Sequence, residues 1–304
     1  MEILTSIKRP EYVRRPSQII RRLMFEFRSP SSGYCTVKLP WGLPFRVQPG
    51  ENIGAIICRA GVHELPVCEC IGRLVDAGDL AVDAGANIGQ MTGIMAIRAG
   101  ASGKVMAFEP HPSIFDELQF NIASWRKDHR AAPIIAQCLA LSDRTGVAQL
   151  LIPSDFAQNQ GVSFLTGSLD KGAEGGQFDV SVRRLDEVIG SGQKIGFLKI
   201  DVEGHELQVL RGAERLLESG SIRDILFEQQ GDPPTATTKF LEDRGYSIYR
   251  IAGGFLGPIA VSIGTPFATD AHASSNYLAT LDSNRAITRM TRRGWAVYSG
   301  HWPK

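Results

Sequence analysis

Several features are scarce in this 304-residue chain, and each scarcity removes a class of protein. No stretch approaches the roughly 18 uninterrupted apolar residues of a transmembrane helix, and the N-terminus has no apolar signal core; a cytoplasmic protein without a membrane span is expected. Charge of one sign is not in excess. With 33 Lys and Arg against 32 Asp and Glu, the chain has no global attraction for nucleic acid. Cysteine is sparse and odd in number: Cys35, Cys58, Cys68, Cys70 and Cys138 sit mostly in apolar surroundings, which favours reduced thiols over a disulfide framework. Cys68-x-Cys70 has no second Cys or His pair at zinc spacing, so no metal is assigned to it.

A third glycine is also missing where one nucleotide-binding pattern needs it. Leu80 to Val82 read as a buried strand, followed by Asp83-Ala84-Gly85-Ala86-Asn87-Ile88-Gly89 and an apolar-periodic segment reaching Ile97. This is strand, tight turn and helix. Gly85 and Gly89 would let a ligand approach bare backbone, and the first helical amides are free donors for an anionic group. A dinucleotide turn requires Gly-x-Gly-x-x-Gly, but Asn87 and Gln90 stand at its second and third glycine positions. What remains, Asp-x-Gly-x-Asn-x-Gly, resembles the first motif of S-adenosylmethionine (SAM) dependent methyltransferases.

Before this turn, residues 1–30 carry Lys8, Arg9, Arg14, Arg15, Arg21, Arg22 and Arg28. Ile19, Ile20, Leu23, Met24 and Phe27 suggest an amphipathic helix there. Its apolar side either packs on the protein or serves a peripheral membrane contact, an acidic-glycan contact or a homodimer arm. Thr36 to Val47 reads as a hairpin over an edge of the main domain. Residues 1–60 are thus expected to be an extension, and 61–304 the main domain. Glu64 to Val75 reads as a helix.

After the turn, Lys104 to Phe108 is a second buried strand closed by Glu109-Pro110. An acid ending this strand, about 20 to 25 residues after the glycines, is positioned to accept hydrogen bonds from ribose hydroxyls. Ile134 to Leu139 is a third strand, and Ser142 and Asp143 beyond it would flank an adenine. Gly146 to Ile152 and Phe178 to Val182 are further strands. The polar, glycine-rich 159–177 between them reads as a substrate-facing lid or a passive loop. Acceptor choice is expected to rest on that segment, on Gly253-Gly254-Phe255 and on Trp295.

The chemistry-bearing stretch is Ile195 to Glu206, a buried strand ending in Asp201, Glu203 and His205, then a helix. Asp83 to Gly89, Phe108-Glu109-Pro110, Leu185-Asp186, Lys199 to Glu206, Leu210 to Ala213 and Phe227-Glu228 follow one another with an order and spacing that resemble the FkbM family of SAM-dependent methyltransferases. Val62-His63-Glu64 and Asn276 to Ala279 fit as well. The likeness runs from about Gly61 to about Leu281 and leaves the first sixty residues outside.

The resemblance implies an α/β, Rossmann-like class I methyltransferase fold, with a seven-stranded, mostly parallel sheet and helices on both faces. It also implies SAM as cofactor and O-methylation of a hydroxyl on a sugar, glycan or secondary metabolite. By position, Asp83, Gly85, Ala86, Asn87 and Gly89 belong to the cofactor turn, Glu109 and Pro110 to the ribose side, Ser142 and Asp143 to the adenine edge, with Asp201 nearby. An aliphatic hydroxyl is a weak nucleophile, and a positioned base assists its attack. His205, Asp201, Glu203 and Glu228 are the candidates, with His63 or no base as alternatives. Asp-x-Glu-x-His also suits a divalent ion, but successive strand residues point to opposite faces, so Asp201 and Glu203 converge only if a turn begins between them. No metal is assigned. A nucleotide-dependent oxidoreductase and a non-catalytic SAM- or partner-binding protein are the competing readings.

Overall fold

The structure, a computed structural model, describes residues 33–153, 164–165, 176–265, 275–300 and 302. The expected basic helix in 1–30 and nearly all of the 159–177 segment lie outside the described residues.

The chain begins with a hairpin of β1 (Cys35–Lys38) and β2 (Pro44–Val47), followed by helices α1 (Asn52–Ala60) and α2 (Leu65–Leu74). Alternation then starts with β3 (Leu80–Ala84), α3 (Gln90–Ala99), β4 (Lys104–Phe108), α4 (Pro112–Trp125) and β5 (Ile134–Gln137). It resumes with β10 (Ile195–Ile200), the short helices α6 (Glu206–Arg211) and α7 (Glu214–Glu218), β11 (Ile222–Glu228), α8 (Ala236–Glu242), β12 (Ser247–Gly254), β13 (Gly257–Ser262) and β14 (Asn276–Thr280). Helices α9 (Ser283–Met290) and α10 (Ala296–Ser299) close the chain.

The main sheet has the order β13-β12-β14-β11-β10-β3-β4-β5. β10, β3, β4 and β5 run parallel beside β11, and β14 is inserted antiparallel between β11 and β12. This is the expected class I arrangement with an eighth strand added. The addition is local: β12 turns back through Phe255-Leu256 into β13, with Gly254 paired to Gly257. Every residue of β10 is buried, because helices cover both faces of a parallel sheet. Alternate side chains feed two cores. Ala81, Val105, Ala107, Phe197 and Leu226 enter one, and Val82, Ala84, Met106, Phe108, Leu198 and Ile200 the other.

Between β5 and β10 the chain builds a second sheet from β6 (Ala140–Leu141), β7 (Gly146–Leu151), β8 (Phe164–Leu165) and β9 (Gln177–Arg183), in the order β6-β9-β7-β8. The short α5 (Leu185–Val188) follows it. The third strand therefore stops at Gln137 rather than Leu139, since the next residues pair with β9.

The first hairpin covers a helix, not a sheet edge. Trp125 Nε1 donates to Pro44 O at 2.6 Å, and Asn121 accepts from Arg46 N and donates to Arg46 O. Leu39, Leu43, Phe45, Val47 and Ile57 belong to the same core as the sheet. The C-terminal helices are held to α2 by a buried ion pair: Arg73 Nε donates to Glu69 at 2.6 Å. Arg73 also donates to the carbonyls of Arg289, Met290, Arg292 and Gly294, and Glu69 accepts from Ala296 N and Val297 N. Trp295, expected beside the acceptor, is buried in this core.

Candidate active site

The site is assembled at the carboxyl ends of β3, β4, β10 and β11, where an open parallel sheet leaves a crevice. At the end of β3, Asp83 is fully buried and accepts from Thr92 Oγ1 at 2.6 Å. Its other oxygen lies 3.3 Å from Lys199 Nζ. Lys199, in the otherwise apolar β10, also reaches Asp201 at 3.3 Å and donates to Gly85 O at 2.8 Å. Burial opposes the charge on Lys199, but Asp83, Asp201 and Glu64 outweigh it and hold its pKa above the ordinary lysine value. One ammonium thus joins the glycine turn to the end of β10.

In the turn, Gly85 has φ 76° and Gly89 φ 99°. The bareness of both serves the protein itself rather than a ligand. A Cβ on Gly85 would lie 1.8 Å from Asp201 O, and one on Gly89 would lie 2.7 Å from Leu118 Cδ1. Gly89 places no side chain over the start of α3, so that end presents uncapped amides. Glu109 accepts from Asn87 N and His111 N, each at 2.9 Å, and burial pushes its pKa up to about 7.

A cavity of about 420 Å³ opens here, a size that suits a small-molecule ligand. Gly85, Ala86, Asn87, Glu109, Pro110, Asp201, Glu203 and Glu228 line it, so the structure brings together most residues expected on both the cofactor and the acceptor side. Asp83 and Gly89 stand behind the wall as supports. Ala140, Leu141 and Leu150 line the cavity where Ser142 and Asp143 were expected.

His205 is not at the cavity wall. Its Nε2 lies 3.0 Å from Ser142 Oγ, and burial drives its pKa down to about 4, leaving a neutral imidazole in the packing between β6 and α6. The base reading therefore shifts to the carboxylates. β10 ends at Ile200, and Glu203 adopts φ 52° in the turn that follows. That turn lets Asp201 and Glu203 converge despite their spacing: with Glu228 they offer oxygens all within 4.8 Å of one another. Such a cluster is able to hold a divalent cation or to share protons. Burial, then Asp201 and Glu228, raise the pKa of Glu203 to about 8. Burial also raises that of Glu228, against the opposing effect of Ser275 Oγ, which donates to it at 2.6 Å.

Three contributors, Lys199, Gln90 and Glu64, are given no role by the sequence, and His63 is there only an alternative base. Lys199 left one signal, a lone charge inside an apolar strand. Gln90 clamps the segment before α2, accepting from His63 N and donating to His63 O, both at 2.8 Å. His63 and Glu64 then line the cavity. Among the described residues, the non-glycine residues with positive φ are Glu64, Asn87 and Glu203, and all three face this cavity, as strained residues at functional sites do.

Comparison with known proteins agrees with this geometry. The methyltransferase FkbM domain family matches residues 83–248. The chain is 31% identical over 202 residues to a hexuronic acid methyltransferase, AglP, of Haloferax volcanii, covering 66% of this chain and 75% of that protein. It is 35% identical over 164 residues to the 31-O-demethyl-FK506 methyltransferase FkbM of Streptomyces tacrolimicus, covering 45% and 60% respectively. A crystal structure of an FkbM methyltransferase from Methylobacillus flagellatus aligns over 66% of this chain and 43% of that one, with 19% identity and a TM-score of 0.42.

Proposed function

The chain belongs to the FkbM methyltransferase family and is a SAM-dependent methyltransferase, and from that premise we propose that it methylates a hydroxyl oxygen of a sugar, glycan or secondary metabolite. The observation that carries the proposal is a single cavity with two chemically different walls. On one are the turn of Gly85 to Asn87 and the acid Glu109; on the other are the carboxylates of Asp201, Glu203 and Glu228.

The first wall suits the cofactor. Glu109 has buried oxygens for ribose hydroxyls, the uncapped amides of α3 suit a carboxylate, and Leu141 and Leu150 offer apolar surface to an adenine. When bound, the cofactor supplies an activated methyl group on a sulfonium with a good leaving group.

The second wall suits a hydroxylated acceptor. Ionised carboxylates accept hydrogen bonds from neighbouring hydroxyls, and a protonated one donates. Held in line with the methyl and away from bulk water, an acceptor oxygen needs little beyond positioning and removal of its proton. A hexuronic acid, which the Haloferax relative is named for methylating, is one acceptor of this class.

Calorimetry with SAM, S-adenosylhomocysteine and NAD tests the cofactor side. Binding of NAD without SAM would restore the oxidoreductase reading. Transfer of tritium from methyl-labelled SAM to p-nitrophenyl hexosides and hexuronides tests the acceptor side. Label found on nitrogen or carbon rather than oxygen would refute O-methylation.

A further inference from the structure

Glu64 belongs neither to the glycine turn nor to the three-carboxylate cluster, yet the structure gives it an unusual placement. It occupies the cap position of α2, with φ 51° and ψ 62°, and its side chain makes no capping hydrogen bond. An acid at a helix start ordinarily accepts from the first free amides. Here the backbone adopts the left-handed conformation and the carboxylate faces the cavity instead.

Two tethers fix it there. The Gln90 clamp on His63 ties the segment to the first turn of α3, on the cofactor side. Asn276 Nδ2 donates to Glu64 Oε1 at 3.2 Å, and Asn276 pairs with Glu228 across β14 and β11, on the acceptor side. The second oxygen, Oε2, has the His63 ring 4.0 Å away. Of the other rim acids, Asp201 is paired with Lys199 and Glu228 accepts from Ser275, while Glu203 sits on the turn after β10, whereas Glu64 is tethered to both walls.

We propose that Glu64 takes the proton from the acceptor hydroxyl during methyl transfer, a role that rests on the methyltransferase reading above. As the oxygen forms its bond to the methyl carbon, the carbon–sulfur bond breaks and its electron pair stays on sulfur. The hydroxyl proton passes to Glu64, whose side chain is 32% exposed and can return it to solvent.

The charged and titratable groups around Glu64 are His63 beside it, Cys68 on α2, Lys199, Asp201 and Glu203 at the end of β10, and Glu228 on β11. Burial and Asp201 raise the pKa of Glu64 to about 7, against Lys199 and the Asn276 hydrogen bond, which lower it. A base poised there is matched to neutral pH.

The test compares the full-length wild type with Glu64→Gln and Glu64→Asp, using methyl-tritiated SAM and p-nitrophenyl hexosides and hexuronides. With Glu64→Gln, kcat should fall about 100-fold or more, the range for loss of a general base. The acceptor KM and the SAM Kd should stay within about threefold, the acidic limb of the pH profile should vanish, and Glu64→Asp should recover at least about tenfold. Independently of any acceptor, 13C NMR of glutamate carboxyl carbons should show a titration near neutrality that Glu64→Gln lacks. A Glu64→Gln protein with kcat within threefold of wild type and its acidic limb intact would overturn the proposal, as would the absence of that titration. A wild type that binds no SAM would instead overturn the methyltransferase reading.

Discussion

Replacing Lys199 with methionine removes the cation that joins the two walls of the site. The ammonium is 3.3 Å from Asp83 and from Asp201 and donates to Gly85 O at 2.8 Å, while Asp83 is fully buried. Methionine keeps the length and apolar stem but leaves the Asp83 carboxylate, among the described residues, with Thr92 as its hydrogen-bond donor. Removing one partner of a buried ion pair costs about 3–5 kcal/mol, because the remaining charge is left uncompensated. For a domain of this size that is a fall in Tm on the order of 10 °C. Differential scanning calorimetry of wild type, Lys199→Met, Asp83→Asn and the double variant measures it. The double variant should be more stable than the sum of the two single losses predicts, by about 1–3 kcal/mol, since the two groups touch. The sign with pH is also set. A lysine whose pKa is raised on folding contributes stability that is fully present below its ordinary pKa and is lost only as pH rises through the folded value. The gap between wild type and Lys199→Met should therefore stay constant from pH 6 to pH 9. A variant within 2 °C of wild type, or strictly additive losses, would refute the reasoning.

Glu109→Gln should weaken SAM binding about tenfold or more by calorimetry, at a cost of about 1–3 kcal/mol for an impaired buried acceptor. In the wild type, SAM affinity should rise as pH passes upward through about 7 and Glu109 ionises, and in the variant this dependence should flatten. The ligand-free protein should show the opposite slope. Glu206, Glu109 and Glu203 have folded pKa values raised to about 6, 7 and 8, so the stability tied to their protonated forms is present below pH 4.5 and is lost as pH rises toward 8. A Tm measured from pH 5 to pH 8 should fall, and Glu109→Gln should lessen the fall. His205→Ala should leave kcat within about threefold while lowering stability by about 1–2 kcal/mol, because the buried Ser142 hydroxyl loses its imidazole partner. A 100-fold loss of turnover would return His205 to the chemistry.

The turn and strand end that line the cavity were legible because they lie in short, contiguous patterns, whereas Ser142 and Asp143 were expected where Ala140, Leu141 and Leu150 stand. Asp83 to Gly89 and Phe108 to Pro110 each encode a strand end and its turn, and parallel pairing of β3 with β4 brings them together. The convergence of Asp201 and Glu203 was legible only as a condition, since alternation along a strand separates them until the backbone turns at Asp201. Glu64 and Gln90 were not legible. The bond of Gln90 to the His63 backbone, which sets Glu64 beside the cavity, depends on α2 packing beside α3, and a lone acid before an apolar run reads locally as part of a helix start. His205 misled for the same reason: a histidine after a strand looks catalytic until packing decides whether it meets solvent or core. The glycines stand in the turn for another cause than the one the sequence suggests: the end of β10 and the side chain of Leu118 fill the space that Gly85 and Gly89 leave, and of the two Gly85 lines the cavity. The eighth strand follows from the turn Phe255-Leu256, beside Gly253 and Gly254, which with Phe255 were expected at the acceptor but pair within β12 and β13 instead.

The position of β14 has a consequence for synthesis. Strands β11 and β12 are consecutive strands that join the sheet together only when residues 276–280 pair with both, and Arg73, made early, finds these carbonyl partners at residues 289–294. A chain emerging from the ribosome therefore carries an open sheet and an unfinished charge cluster until residues 276–294 arrive. Its earlier strands offer bare edges and apolar faces throughout elongation. The sheet is therefore completed only once residues 276–280 are available, and a pause in synthesis before them would prolong its most aggregation-prone state.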